Sequence, residues 1–266
     1  MKITTNPAST ADSTDIAGDI PEHGRIAVIP ARGGSQRIPR KNLCLLYGRP
    51  LIWYAIEVAR RSGVFSRIIV STEDAEIADV SRSAGAEVLD RDPSLAQEST
   101  TTNAVLVNVL EELAPPAACQ MVLLQPPSPF RTPQDLIDSI ALFEEDPNAL
   151  SLVSFCEYEF PAAMALRMDQ TYVAPVFPEY YTVTRRTNSG LPNYVRPNGA
   201  IYVARCGDFL EQGTFYTQRT IGFEMPPERS FDIDTPFDLQ FANWLLEHDP
   251  PPDWRLPPVG HASYAR

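Results

Sequence analysis

Short apolar runs rich in β-branched residues punctuate this chain at 25–29, 67–71, 87–89, 121–125 and 150–155. In the second run Ile68, Ile69 and Val70 favour a strand over a buried helix, because branching at Cβ suits a pleated surface. Between the runs lie amphipathic stretches at 50–62, 74–84, 101–113 and 133–145, the first opening on Pro50, a residue well suited to a helix start. Strand and helix alternate at ordinary βα lengths, which predicts an α/β fold: a mostly parallel, doubly wound sheet with helices on both faces. After residue 155 the rhythm breaks, and 157–195 hold aromatics, prolines and the adjacent Arg185 and Arg186 with no clear period. Regular structure resumes with predicted strands at 199–204 and 219–224, and a helix over 236–247 closes the domain.

The ends read differently. Residues 1–24 are rich in Thr, Ser, Asp and Pro without an apolar h-region, so they read as a disordered tail rather than a signal peptide. The Pro-rich stretch 249–266 reads as a second tail, leaving 25–248 as the folded part. At 266 residues and 44% hydrophobic content the chain can build one large α/β domain or two small ones. Its 34 acidic against 22 basic residues, a net charge of −12, argue against nucleic acid or an anionic membrane as partner. No run of 18 apolar residues predicts a membrane span. Cys44, Cys119, Cys156 and Cys206 form no Cys-x-x-Cys pair, and His23, His248 and His261 sit near the termini. A zinc site or a histidine-based dyad is therefore not expected, and the thiols read as free in a reducing cytoplasm.

Against this acidic background one segment stands out. Pro30-Ala31-Arg32-Gly33-Gly34-Ser35-Gln36-Arg37-Ile38-Pro39-Arg40-Lys41-Asn42 follows the first apolar run and carries four cations within ten residues. A basic cluster on an acidic chain calls for a local polyanion, and a triphosphate is the obvious one. The loop matches neither Gly-x-x-x-x-Gly-Lys-Ser/Thr nor Gly-x-Gly-x-x-Gly, so it signals neither a P-loop ATPase nor a dehydrogenase. A solvated basic loop is the plainer alternative; Pro30 and Pro39 oppose it by stiffening both flanks.

Three further motifs carry chemistry. In Asp232-Ile233-Asp234-Thr235 the carboxylates lie two apart, on one side of an extended chain, which suits Mg²⁺ bridging to phosphates. An N-cap for the helix opening at Pro236 explains the same residues equally well. Leu123-Leu124-Gln125-Pro126-Pro127-Ser128-Pro129-Phe130-Arg131 ends a strand in a polar, proline-stiffened loop, where open α/β sheets bind ligands. Arg196-Pro197-Asn198-Gly199-Ala200-Ile201-Tyr202 offers an arginine whose planar fork matches a carboxylate.

Taken in order, these four motifs resemble the acylneuraminate (sialic acid) cytidylyltransferase family with its pseudaminate and legionaminate relatives. The resemblance implies a Rossmann-like nucleotidyltransferase sheet with an inserted arm at 157–195 that exchanges with a second subunit, hence a homodimer. It implies CTP and a 2-keto-3-deoxy nonulosonic acid as substrates, the CMP-sugar and pyrophosphate as products, and Mg²⁺ as cofactor. On this likeness Arg32 and Lys41 meet the triphosphate, Lys41 at the α-phosphate, while Asp232 and Asp234 hold the metal and Asp234 counts as catalytic. Ala31, Gly33, Ser35 and Asn42 surround the nucleotide, and Arg91 lies near the cytosine ring. Gln125, Arg196, Asn198, Tyr202 and one of Arg185 and Arg186 contact the sugar acid; Phe215 and Tyr216 reach the neighbouring subunit's sugar pocket, core packing being the plainer reading of both. The general base stays open among an aspartate, a metal-bound hydroxide and solvent. One departure matters: the family has lysine after the loop serine, whereas this chain has Gln36, so one triphosphate contact is neutral unless Arg37 replaces it. Arg37-Ile38-Pro39-Arg40-Lys41 resembles the pseudaminate and legionaminate branches, while Arg-Pro-Asn-Gly favours the sialate and legionaminate side, so the sugar stays open. A different acidic substrate, or a non-catalytic paralogue supported by Gln36 alone, are the rival readings.

Overall fold

The strand β1 (Arg25–Pro30) shows why this sequence builds a two-faced sheet. Ile26, Ala27, Val28 and Ile29 are all fully buried. Side chains alternate across a strand, so Ala27 and Ile29 enter one apolar cluster while Ile26 and Val28 enter another on the opposite face. A computed structural model describes residues 19–181 and 191–248. Onward from β1 run α1 (Leu51–Ser62), β2 (Arg67–Thr72), α2 (Ala75–Ser83), β3 (Glu87–Asp90), α3 (Thr102–Leu113), β4 (Gln120–Leu123) and α4 (Pro133–Glu145). Then follow β5 (Ser151–Glu157), β6 (Val195–Arg205), α5 (Cys206–Gln212), β7 (Thr220–Glu224) and α6 (Pro236–His248).

Among the described residues these seven strands form one sheet in the order β7–β5–β6–β4–β1–β2–β3. Its pairs β1–β2, β1–β4, β2–β3 and β5–β7 are parallel. Only β6 runs antiparallel, between β4 and β5. One face is covered by Ile52 and Ile56 of α1, Leu136, Ile140 and Phe143 of α4 and Leu246 of α6. Leu106, Val109 and Leu110 of α3 and Phe209 of α5 cover the other. The mostly parallel, doubly wound sheet expected from the sequence is therefore present. No helix among the described residues is long and apolar enough to cross a membrane.

Helix starts follow local chemistry. The Asp74 carboxylate accepts the N–H groups of Glu76 and Ile77, Thr101 caps α3, and Thr132 with Asp135 forms a capping box behind Pro133.

The structure departs from the sequence reading in five places. The strand expected at 199–204 begins at Val195, because its register shifts between Pro197 and Tyr202 around Gly199, at φ 75°, and breaks the alternation. The short helix α5 was not expected. A ribbon pairs Leu45–Leu46 with Arg49–Pro50 across Tyr47 and Gly48, both at positive φ, as a two-residue hairpin demands. Within the segment read as aperiodic, Leu166–Asp169 pairs with Tyr172–Pro175 in a hairpin exposed on both sides, so no alternation marks it. Of the expected tails, residues 19–24 are described, with Ile20 packed on the core; residues 1–18 and 249–266 lie outside the described residues, as do Arg185 and Arg186.

Candidate active site

Chain order reverses on the two sides of β1, and the loops leaving the carboxyl ends of β1, β3 and β4 meet there. They surround a cavity of about 370 Å³, whose wall includes Arg32, Ser35, Gln36, Arg37, Lys41, Asn42, Arg91, Gln125 and Asp234.

The loop after β1 is pinned at both ends. Buried Asn42 donates to the Arg32 carbonyl at 2.9 Å, closing the loop on itself. Across the mouth, Arg32 Nη1 reaches the Gln97 carbonyl at 3.3 Å and Gln36 Nε2 donates to Glu98 at 2.6 Å. Three of the four loop cations, Arg32, Arg37 and Lys41, line the cavity. Arg40 does not: it adopts φ 52° and turns to Asp74 and Glu76, at 2.9 Å each. Two residues expected around the nucleotide also stand back from the wall. Ala31 is wholly buried, with its N–H bonded to the Ser71 carbonyl. Gly33 donates its N–H to Glu73 Oε1 at 2.7 Å, and a Cβ there would come within 2.4 Å of Asp74 Oδ2. Packing against the start of α2 therefore demands this glycine, rather than close approach to a ligand.

Arg91 is almost wholly buried in the cavity wall, where Nε donates to Ser71 Oγ at 3.1 Å and Nη2 to the Ser71 carbonyl. Burial pulls its pKa below the usual arginine range; Glu73 opposes that fall and the Arg32 charge adds to it. Leu95, Gln97, Glu98, Thr100, Thr102 and Val105 continue the wall from Arg91, mixing apolar and polar side chains.

Where the β1 loop meets the segment before α6, Lys41 Nζ lies 2.9 Å from Asp234 Oδ1 and 3.1 Å from the Ile233 carbonyl. Arg37 Nη1 stands 3.1 Å from Asp234 Oδ2. Ile233 is buried, so the flanking carboxylates emerge together on the side away from the core. Loss of hydration pushes the Asp232 carboxyl above the usual range, and the Asp234 charge adds to this. The alternative of Asp234 as helix cap is answered by its neighbours. Thr235 Oγ1 accepts the Asp238 N–H at 3.3 Å, and Asp238 Oδ2 accepts the Thr235 N–H at 2.7 Å. Thr235 and Asp238 thus cap α6, and the Asp234 carboxylate is left for the cations.

The β4 loop forms the remaining side with Gln125, Pro126 and Pro127, and β6 pairs with β4 beyond the wall. Arg131 is fully buried, its Nη1 donating to the Ala200 carbonyl and its Nη2 to the Gln125 carbonyl. Burial lowers its pKa to about 9, with Asp232 and then Asp135 opposing, so it stays protonated at neutral pH. A side chain at Gly199 would meet Gln125 Oε1 and Ser128 Oγ at 3.2 Å. Asn198, expected to touch the sugar, is instead internal. Its Oδ1 accepts from Ser154 Oγ at 2.6 Å and the Ala200 N–H at 3.1 Å, and its Nδ2 donates to Ser230 Oγ at 2.9 Å. It therefore holds the β6 bulge in shape. Arg196 is half-buried, with Nη2 3.5 Å from the Ser230 carbonyl. Tyr202 is half-buried, its phenol pushed up by burial and then by Tyr216. Phe215 is core, packed on Phe209 and Tyr202, whereas Tyr216 is exposed.

The motifs do not include Glu73, Glu98 or Ser230, and Arg131 closes the Gln125 motif without a role assigned to it. Only for Glu73 was a signal present, its position just past the carboxyl end of a central strand.

An open, mostly parallel sheet with a cation-lined cavity at its switch point defines an α/β nucleotide-binding protein. The chain belongs to the cytidylyltransferase family: a family model with the description "Cytidylyltransferase" matches residues 26–247. It is 30% identical over 217 residues to N-acylneuraminate cytidylyltransferase of Escherichia coli, covering 82% of this chain and 51% of that protein. The chain thus spans about half the length of that relative. It is 32% identical to CMP-N,N'-diacetyllegionaminic acid synthase of Legionella pneumophila, over 84% of this chain and 96% of that one. Among solved structures, CMP:2-keto-3-deoxy-manno-octonic acid synthetase complexed with CTP aligns with a TM-score of 0.62 at 18% identity, over 84% of this chain and 98% of that one. At that identity the likeness shows the fold alone.

Proposed function

We propose that this chain transfers the cytidylyl group of CTP to the anomeric hydroxyl of a nonulosonic acid, giving the CMP-sugar and pyrophosphate. The observation that carries this reading is the juxtaposition of Arg37 and Lys41 with Asp234, which has Asp232 beside it, in a cavity whose wall also holds Arg32 and Arg91. The anomeric oxygen attacks the α-phosphorus in line, the bond to the β-phosphate oxygen breaks, and the hydroxyl proton is released. Negative charge grows on the phosphate oxygens, so the chain's task is positioning and neutralisation. Lys41 and Arg32 supply the positive charge that neutralises it. Arg91 and the apolar wall at Leu95 and Val105 receive the base, and Arg196 with Gln125 receives the sugar acid.

Asp232 and Asp234 suit a hard divalent cation. They are two oxygen donors whose charges act on each other, and they leave further ligand positions for water and phosphate. No group of three or more histidines, cysteines, aspartates or glutamates poised for a metal occurs among the described residues. Mg²⁺ keeps several waters and needs no full protein cage. When bound, Mg²⁺ supplies neutralisation of the phosphoryl oxygens. In the unliganded chain Lys41 and Arg37 balance Asp234.

The same reading includes a homodimer. Met168, Tyr172 and Val173 on the 166–175 hairpin are 74%, 79% and 61% exposed, and a two-stranded hairpin bare on both faces is marginal in water. The cytoplasm suits four cysteines that are all free. Pyrophosphate release from CTP across a panel of nonulosonic acids tests the proposal. Release with at least one acid, and none without acceptor, is expected; no release with any acid overturns it.

A further inference from the structure

Glu73 follows the last residue of β2 and backs the cavity without lining it. Its Oε1 holds the Gly33 N–H at 2.7 Å, so it fixes the loop from behind. Its Oε2 is sealed from solvent and makes no hydrogen bond. That oxygen stands 3.8 Å from Arg91 Nη1, an ion-pair distance too long for a hydrogen bond. A buried carboxylate oxygen left short of a donor is costly and calls for an explanation. Arg91 is itself committed through Nε and Nη2 to Ser71, which leaves Nη1 beside Glu73. One carboxylate therefore stands between the loop that carries Arg32 and the arginine across the cavity wall from it. Beside Arg91 the same wall holds Leu95, Thr102 and Val105, apolar surface of the kind a flat heterocycle requires.

We propose that Glu73 is a positioning residue that couples base recognition to the phosphate loop, one carboxylate oxygen fixing Gly33 and the other aiming Arg91 at the base. An ill-matched base displaces Arg91, the shared carboxylate follows, and the loop loses its setting. This inference rests on the nucleotide reading above.

The test compares calorimetric affinities for CTP, UTP and inorganic tripolyphosphate in the wild type, Glu73→Gln, Arg91→Ala and the double variant. Glutamine keeps an acceptor for Gly33 and deletes the charge beside Arg91. The preference for CTP over UTP is expected to fall roughly tenfold or more, as loss of a buried charged partner implies. Tripolyphosphate affinity is expected to hold, and Glu73→Gln is expected to add nothing in the Arg91→Ala background. An unchanged CTP-to-UTP ratio overturns the proposal, as does an equal loss for all three ligands, the mark of a merely structural role. A second measurement needs no variant. Cytidine, which has no phosphate, is expected to slow backbone hydrogen exchange in loop 31–41 of the wild type more than uridine does; equal effects overturn the coupling. Failure of the wild type to bind CTP at all would instead refute the nucleotide reading itself.

Discussion

A lysine at position 36 would enter a mouth already occupied by an acid. Gln36 bonds Glu98 at 2.6 Å, while Arg37 is engaged with Asp234. Restoring the lysine alone therefore creates an ion pair with Glu98 rather than a new triphosphate contact. Gln36→Lys is expected to leave the KM for CTP nearly unchanged, and Gln36→Lys with Glu98→Gln to lower it about fivefold, the worth of one partly exposed charged contact. Steady-state kinetics at saturating acceptor reads both, and a full gain from the single change would show that Glu98 does not hold position 36. At the carboxylate pair, Asp234→Asn removes the anion that Lys41 and Arg37 share and half of the oxygen pair for a metal. Turnover is expected to drop a hundredfold or more, by about 3 kcal/mol at the transition state, with the circular dichroism spectrum unchanged. Excess chelator is expected to stop the wild type; full activity in chelator would remove the metal from the reading.

The start of α2 ties helix stability to the site. Asp74 caps the helix through the N–H groups of Glu76 and Ile77, pairs with Arg40 at 2.9 Å and packs against Gly33. Burial by itself would raise its carboxyl. The Ile77 N–H, Arg40 and the Glu76 N–H together outweigh burial and hold it below the usual range. A depressed carboxyl contributes stability that is complete above the unfolded value of about 4 and is lost as pH falls through the lower folded value. Asp74→Ala is accordingly expected to cost about 1–2 kcal/mol at pH 7. That difference should shrink as the pH is lowered from 4 towards 2, as urea unfolding at each pH would show. A pH-independent difference would mean that the charge plays no part.

For the molecule as a whole the open question is what covers the 166–175 hairpin. If a second copy does, Met168→Glu with Val173→Glu should halve the mass seen by light scattering while CTP still binds. A wild type that runs as a monomer at micromolar concentration would exclude the dimer. A net charge of −12 fits a small-molecule enzyme, because Arg32, Arg37, Lys41 and Arg91 nonetheless share the wall of one cavity.

Much of the fold was legible because burial repeats locally. Ile26 to Ile29 announce a strand covered on both faces, and Asp74, Thr101 and Thr132 announce helix starts within a residue or two. The loop at 30–42 and the pair at Asp232 and Asp234 were legible too, since each is a dense cluster of like side chains. What each charge does was not legible, because partners are chosen across the fold. Lys41 meets an acid 193 positions away, whereas Arg40, its neighbour in the chain, is drawn to Asp74 and Glu76. Asn198 reads as a ligand contact in a motif and becomes an internal strut once β6 inserts antiparallel between β4 and β5. Sequence determined the elements and the kinds of chemistry present, because propensity and periodicity act over a few residues. Tertiary structure alone decided which polar groups face the cavity and which are used up inside, because that choice is made where strands distant in sequence end side by side.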